Sequence, residues 1–83
     1  MKVKVKLFAM LRDYLPGSAG DQCVELEVPE ATTPHQIIDD LKIPRHLTHL
    51  VLVNGVYLDP PQRDRPSLKS GDTLAIWPPI AGG

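Results

Sequence analysis

The chain closes on Trp77-Pro78-Pro79-Ile80-Ala81-Gly82-Gly83, and this run is where chemistry is most readily placed. Two terminal glycines, lacking Cβ atoms, can thread a channel too narrow for any other residue. They also leave the carboxyl carbon open to a nucleophile on both faces. Pro78 and Pro79 supply no backbone N–H, so they stop the strand-like run Thr73-Leu74-Ala75-Ile76-Trp77 before them. Stiff at its base and glycine-flexible at its tip, the stretch 78–83 is expected to be a flexible tail on a domain spanning 1–77. The competing reading is a frayed terminus with two accidental glycines.

Other reactive groups are sparse. The histidines are His35, His46 and His49. His46 and His49 have the spacing of a helical metal pair, but no third ligand lies nearby, so ordinary surface histidines are favoured and no metal site is expected. Cys23 reads as a small residue in a strand. Asp39 and Asp40 are adjacent on a helix and do not converge. No glycine-rich loop suited to phosphate is present. Arg63 and Arg65 sit in a Pro-rich stretch, where a solvated loop is favoured over a partner contact.

Eighty-three residues make one small domain, and a formal net charge of −1 carries no signature of a nucleic-acid or membrane partner. No apolar run approaches a membrane span. The opening Met1-Lys2-Val3-Lys4-Val5-Lys6-Leu7 alternates rather than leading into an apolar segment, unlike a signal peptide. With a single cysteine and no export signal, the cytoplasm is the expected location.

The elements that must carry the tail can be read in order. Lys2 to Leu7 is a strand with Val3, Val5 and Leu7 on one face and lysines on the other. Phe8 to Leu15 suits a short helix with Phe8, Leu11 and Leu15 on one side, ended by Pro16-Gly17. Gln22 to Val28 is a second strand, whose glutamates can face the lysines of the first. Thr33-Pro34-His35-Gln36 starts the main helix: Thr33 caps, Pro34 takes the first position and Gln36 completes a capping box. Ile37, Ile38 and Leu41 form its apolar stripe, and Pro44 ends it near Leu41 or Lys42. Asn54-Gly55 between two apolar runs marks a two-residue hairpin turn. The first arm, Leu50 to Val53, is apolar on both faces, as a central strand or one covered from outside would be. Leu68 plugs the core before the last strand. Strands and helices do not alternate strictly, so the class is α+β.

The run from Ser70-Gly71-Asp72 to Gly83 resembles the end of the molybdopterin synthase small subunit (MoaD-like), within the ubiquitin-like sulfur carriers that include ThiS. The order and length of the remaining elements agree with it. Trp77 stands where Phe is frequent in molybdopterin carriers, and Ile80 where Val is frequent. The resemblance implies a β-grasp: a mixed sheet of four to five strands around one main helix, with first and last strands adjacent and parallel. It implies that Gly83 is adenylated by an E1-like enzyme (MoeB/ThiF type) that supplies ATP and Mg²⁺, the chain binding no cofactor itself. Sulfur transfer would then give a thiocarboxylate, delivered to an acceptor such as the large synthase subunit. Ile80, Ala81 and Gly82 would occupy the partner's channel. Trp77, Ala75, Pro78 and Pro79 would dock the domain, because aromatic anchors are enriched at interfaces; the other reading folds Trp77 over its own core edge. Carriers for thiamin, cysteine or tRNA sulfur, a ubiquitin-like protein modifier and an inert β-grasp module are the alternatives.

Overall fold

The computed structural model describes residues 1–16 and 23–79. Five strands form one sheet in the order β2-β1-β5-β3-β4: β1 is Lys2–Leu7, β2 Cys23–Glu27, β3 Leu50–Val53, β4 Val56–Tyr57 and β5 Thr73–Trp77. The first and last strands lie side by side and parallel, with Val5 opposite Leu74 and Leu7 opposite Ile76. All other pairings are antiparallel. This is the β-grasp arrangement, and no helix among the described residues is long and apolar enough to cross a membrane.

Alternation decides which face is covered. Val3, Val5, Leu7, Leu74, Ile76 and Val51 are completely buried, against Ile37 and Ile38 of the helix α1, Pro34–Asp40. Lys2 and Lys4 face Glu27 and Glu25 on the open side, as the charge pattern predicted. Because β2 lies at the sheet edge, its inward Val24 and Leu26 are only half-buried.

The start of α1 is the expected capping box. Thr33 Oγ1 accepts the Gln36 N–H at 3.1 Å, and Gln36 Oε1 accepts the Thr33 N–H at 2.8 Å. The end differs in mechanism from a proline stop. Lys42 takes a left-handed conformation, with φ 63°. Its N–H bonds the Asp39 carbonyl, and the Ile43 N–H bonds the Ile38 carbonyl, closing a Schellman motif two residues before Pro44. Ile43 is thereby turned into the core. Arg45 then grips Asp39 through Nε and Nη2, at 3.1 and 2.8 Å, and this hydrogen-bonded guanidinium holds the Asp39 carboxyl below its ordinary range.

The segment after β1 corrects the expected helix over Phe8 to Leu15. It is a 3₁₀ helix, Ala9–Tyr14, and Phe8 is not on its buried side. Phe8 still belongs to the ladder, its N–H reaching the Ile76 carbonyl at 3.2 Å, so strand alternation sends its side chain to the lysine face. The chain then reverses at Ala9, φ 52°, which lets Leu11 and Leu15 enter the core.

The Asn54-Gly55 hairpin turn has positive φ at both residues, as expected of this pair. Asn54 also does something a hairpin does not require. Its Nδ2 donates to Asp72 Oδ1 and its Oδ1 accepts the Thr73 N–H, both at 2.9 Å, tying the two turns at that end of the sheet together.

A left-handed lysine costs about 1–2 kcal/mol, part of which glycine would return through its looser unfolded chain. Lys42→Gly is therefore expected to stabilise the fold by about 0.5–1 kcal/mol. A rise in the urea unfolding midpoint at unchanged slope is the measurement.

Candidate functional site: the open sheet face at the tail root

The tail residues Ile80, Ala81, Gly82 and Gly83 lie outside the described residues, so the site is described from the strand that leads to them. β5 runs along the middle of the sheet. Ala75 and Trp77 project from its open face, as the sequence pattern placed them.

Register assembles the neighbours. Lys6 lies beside Ala75, and Leu52 lies on its other side, followed by Tyr57 at the edge. Leu50 lies beside Trp77. On the other flank Phe8 stacks on the Trp77 ring, with centroids 4.0 Å apart and planes 4° from parallel. One half of the open face is thus charged, carrying Lys2, Lys4, Lys6, Glu25 and Glu27. The other half is apolar: Phe8, Trp77, Leu50, Leu52, Ala75 and Tyr57.

Phe8, Leu50, Leu52 and Tyr57 were not named as site residues from the sequence. The signal for Leu50 and Leu52 was present in the doubly apolar arm of the hairpin. Leu50 remains 39% and Tyr57 45% exposed, so this half of the sheet has apolar surface still facing water. Contiguous apolar surface of this kind marks interaction sites in soluble proteins.

Trp77 has a place in its own domain, half-buried under the Phe8 stack. Its carbonyl accepts the His49 N–H at 2.9 Å. Pro78 is buried and Pro79 is exposed, so the chain stays against the domain for one residue past the strand.

Behind the apolar half lies a group that sequence reading misassigned. Arg63 was expected in a solvated loop, yet it is 4% exposed. Pro60–Asp64 is a 3₁₀ helix, and it turns the guanidinium inward. Nε donates to the Leu58 carbonyl at 3.0 Å and Nη1 to the Thr48 carbonyl at 3.2 Å. Nη2 lies 3.5 Å from the His49 carbonyl and 3.4 Å from the Tyr57 hydroxyl. The guanidinium carbon is 5.7 Å from the Tyr57 ring centroid, within cation–π range. His35 is a second correction, buried rather than on the surface. Its Nδ1 lies 2.6 Å from Asp64 Oδ1 and ties α1 to the same 3₁₀ helix. His46 and His49 are exposed, and among the described residues no three His, Cys, Asp or Glu side chains gather as a metal site.

Offset or stacked aromatic pairs contribute about 0.5–1.5 kcal/mol beyond their buried area. A double-mutant cycle of Phe8→Ala and Trp77→Ala is therefore expected to give a coupling of about 1 kcal/mol in unfolding free energy. Trp77 is the only tryptophan, so its near-ultraviolet dichroism should collapse in Phe8→Ala while far-ultraviolet dichroism stays native.

Comparison with known proteins matches this architecture. No curated protein matches the chain. Among solved structures, a putative molybdopterin converting factor subunit 1 from Pyrococcus furiosus is 29% identical, with 95% of this chain and 98% of that one covered and a TM-score of 0.66. SAMP1 of Haloferax volcanii, a small archaeal modifier protein, is 25% identical over the whole of both chains, with a TM-score of 0.68. A complex of subunits 1 and 2 of the molybdopterin-converting factor from Helicobacter pylori shares the fold at 19% identity, again over the whole of both chains, with a TM-score of 0.60. The family model that matches is that of the ThiS family, and it takes in residues 5–83. With its parallel β1–β5 pair leading into the final Pro-Pro and Gly-Gly, this chain belongs to the ThiS family.

Proposed function

We propose that this protein is a sulfur carrier whose Gly83 carboxylate is the reacting group. The observation that carries the reading is the family match running through Gly82 and Gly83, directly after a strand fixed in the middle of the sheet. A carboxylate is a poor electrophile and must be activated. An E1-like adenylating enzyme of the MoeB/ThiF type supplies ATP and Mg²⁺. A carboxylate oxygen attacks the α-phosphorus, the bond to the β-phosphate bridge breaks, and pyrophosphate leaves. A sulfide-level nucleophile then attacks the acyl carbon and AMP leaves, so that sulfur replaces one carboxylate oxygen. The domain acts as a docking body and the tail as a tethered group carrier.

The apolar half of the open face is the docking surface in this reading, with Trp77 and Ala75 at its centre and Pro78 and Pro79 at the tail root. Ile80, Ala81 and Gly82 enter the partner's channel, where main-chain contacts are the usual means of capturing a terminal carboxylate. The acceptor is a synthase large subunit, and molybdopterin formation is the favoured route. The likeness to the Pyrococcus protein supports that route. Thiamin, cysteine and tRNA thiolation use the same chemistry. A protein-modifier role, in which Gly83 ends in an isopeptide bond, is favoured by the full-length likeness to SAMP1.

Deleting Gly83 is expected to abolish ATP–pyrophosphate exchange by the adenylating enzyme while circular dichroism stays native. With the full chain and a sulfur source, mass spectrometry should show one oxygen replaced by sulfur at Gly83. Undiminished exchange with the truncated chain would overturn the reading. Isopeptide-linked products in cell extract, with no thiocarboxylate, would move it to the modifier.

A further inference from the structure

We propose that Arg63 is a positioning residue that fixes the Trp77–Pro78 peptide, and with it the direction in which the tail leaves the sheet. The proposal rests on the reading of that tail as the reactive arm.

The path is two hydrogen bonds long and crosses one peptide plane. Arg63 Nη1 donates to the Thr48 carbonyl at 3.2 Å. The other end of that same peptide unit is the His49 N–H, which donates to the Trp77 carbonyl at 2.9 Å. A donor on the carbonyl of a peptide polarises it and strengthens the bond made by its N–H, and a cationic donor does so most. The Trp77 carbonyl is attached to Pro78 nitrogen, so orienting it orients the first bond of the tail. Among the described residues it is the last backbone hydrogen bond on the tail side of β5.

Arg63 is an expensive choice for general fold glue. A buried guanidinium loses its hydration, and here its acceptors are neutral carbonyls and one phenol, with no carboxylate among them. What it gathers is specific. Thr48 and His49 lead into β3 beside Trp77, while Tyr57 ends β4 at the rim of the apolar face and Leu58 follows it. A single planar fork therefore sets the tail root and the far rim of the docking face relative to each other. Lysine has the charge but lacks the fork.

Two substitutions separate the parts: Arg63→Lys keeps the charge, and Arg63→Gln keeps a planar donor without charge. Hydrogen exchange at the His49 amide reports the path, with the Asn54 amide, bonded to the Thr73 carbonyl at the other end of the same strand pair, as internal reference. Both variants are expected to speed His49 exchange at least about tenfold relative to Asn54. In pyrophosphate exchange with the MoeB/ThiF-type enzyme of the source organism, kcat should fall about tenfold while KM moves less than about threefold, since misdirection of a docked arm costs rate rather than binding. Ile38→Val, a core change that removes none of the relay's hydrogen bonds, should leave kcat at the native value. An unchanged ratio of His49 to Asn54 exchange overturns the proposal, and so does an equal loss of kcat in Ile38→Val. If neither Arg63 variant folds, the native protein decides: a His49 amide exchanging as fast as an exposed loop amide overturns it. A native chain that supports no pyrophosphate exchange sinks the carrier reading alone, because the exchange ratio still tests the relay.

Discussion

The rest of the structure depends on the parallel pairing of β1 with β5. These strands lie at opposite ends of the chain, and no local connection brings them together. What holds them is burial: Val3, Val5, Leu7, Leu74 and Ile76 are all completely removed from water. A slip of one residue would turn Lys4 and Lys6 into the core and put the valines outside, so the register is set by the cost of burying charge. Once Leu7 is opposite Ile76, the other placements follow. Phe8 meets Trp77, β2 can add only to the free side of β1, and β3 only to the free side of β5.

The same pairing gives the open face its two characters. On the β1–β2 side, Lys2 and Lys4 stand opposite glutamates, a pattern that favours one register while remaining at ease in water. On the β5–β3–β4 side, Ala75, Trp77, Leu50, Leu52 and Tyr57 are all apolar or aromatic, and Thr73 is the polar residue at the start of β5. A sheet that needed only to fold could have carried polar residues there, since helix α1 covers the opposite face. Tyr57 also packs on Arg63, but the exposure of Leu50 gives the isolated domain nothing and favours a surface that is covered part of the time. Trp77 sits between these uses. Its stack on Phe8 steadies the ring, and a steadied aromatic loses less freedom when a partner covers it.

What could be read from the sequence was decided over short distances. The capping box at Thr33 and Gln36, the Asn54-Gly55 turn and the alternation in β1 each depend on residues a few positions apart. The parallel placement of first and last strands came from the family resemblance. The features that escaped are long-range polar contacts. Arg63 reaches Thr48 across 15 positions, and His35 reaches Asp64 across 29. In a Pro-rich polar stretch nothing local distinguishes an arginine that turns inward from one that stays solvated. Phe8 was misassigned for a related reason: its spacing to Leu11 and Leu15 is helical, but the ladder holds it one residue longer than that pattern implies. At the site, Trp77 and Ala75 were legible from alternation, whereas Leu50, Leu52 and Tyr57 join them only through the order of the strands.

If Gly83 is the reacting group, as proposed, the geometry of the tail root also limits what a partner can be. Four residues follow Pro79, and an extended chain spans at most about 3.3–3.6 Å per residue, so a reactive carboxylate on Gly83 lies within roughly 14 Å of Pro79. Neighbouring strands are about 4.8 Å apart, so the apolar half of the face, from Phe8 on β1 to Tyr57 on β4, is of similar width. An arm that short cannot search. In the proposed reading, the partner's reacting centre stands within about one arm's length of the tail root when the domain docks. In the proposed carrier reading this favours the open face beside Trp77 as the docking surface over the α1 side, from which the arm would be spent crossing the body of its own domain. It also explains why a rigid root is compatible with a glycine-rich end. In that reading the root would set the direction over a distance the arm cannot correct, and the glycines would give the last residues the narrow cross-section that a channel demands.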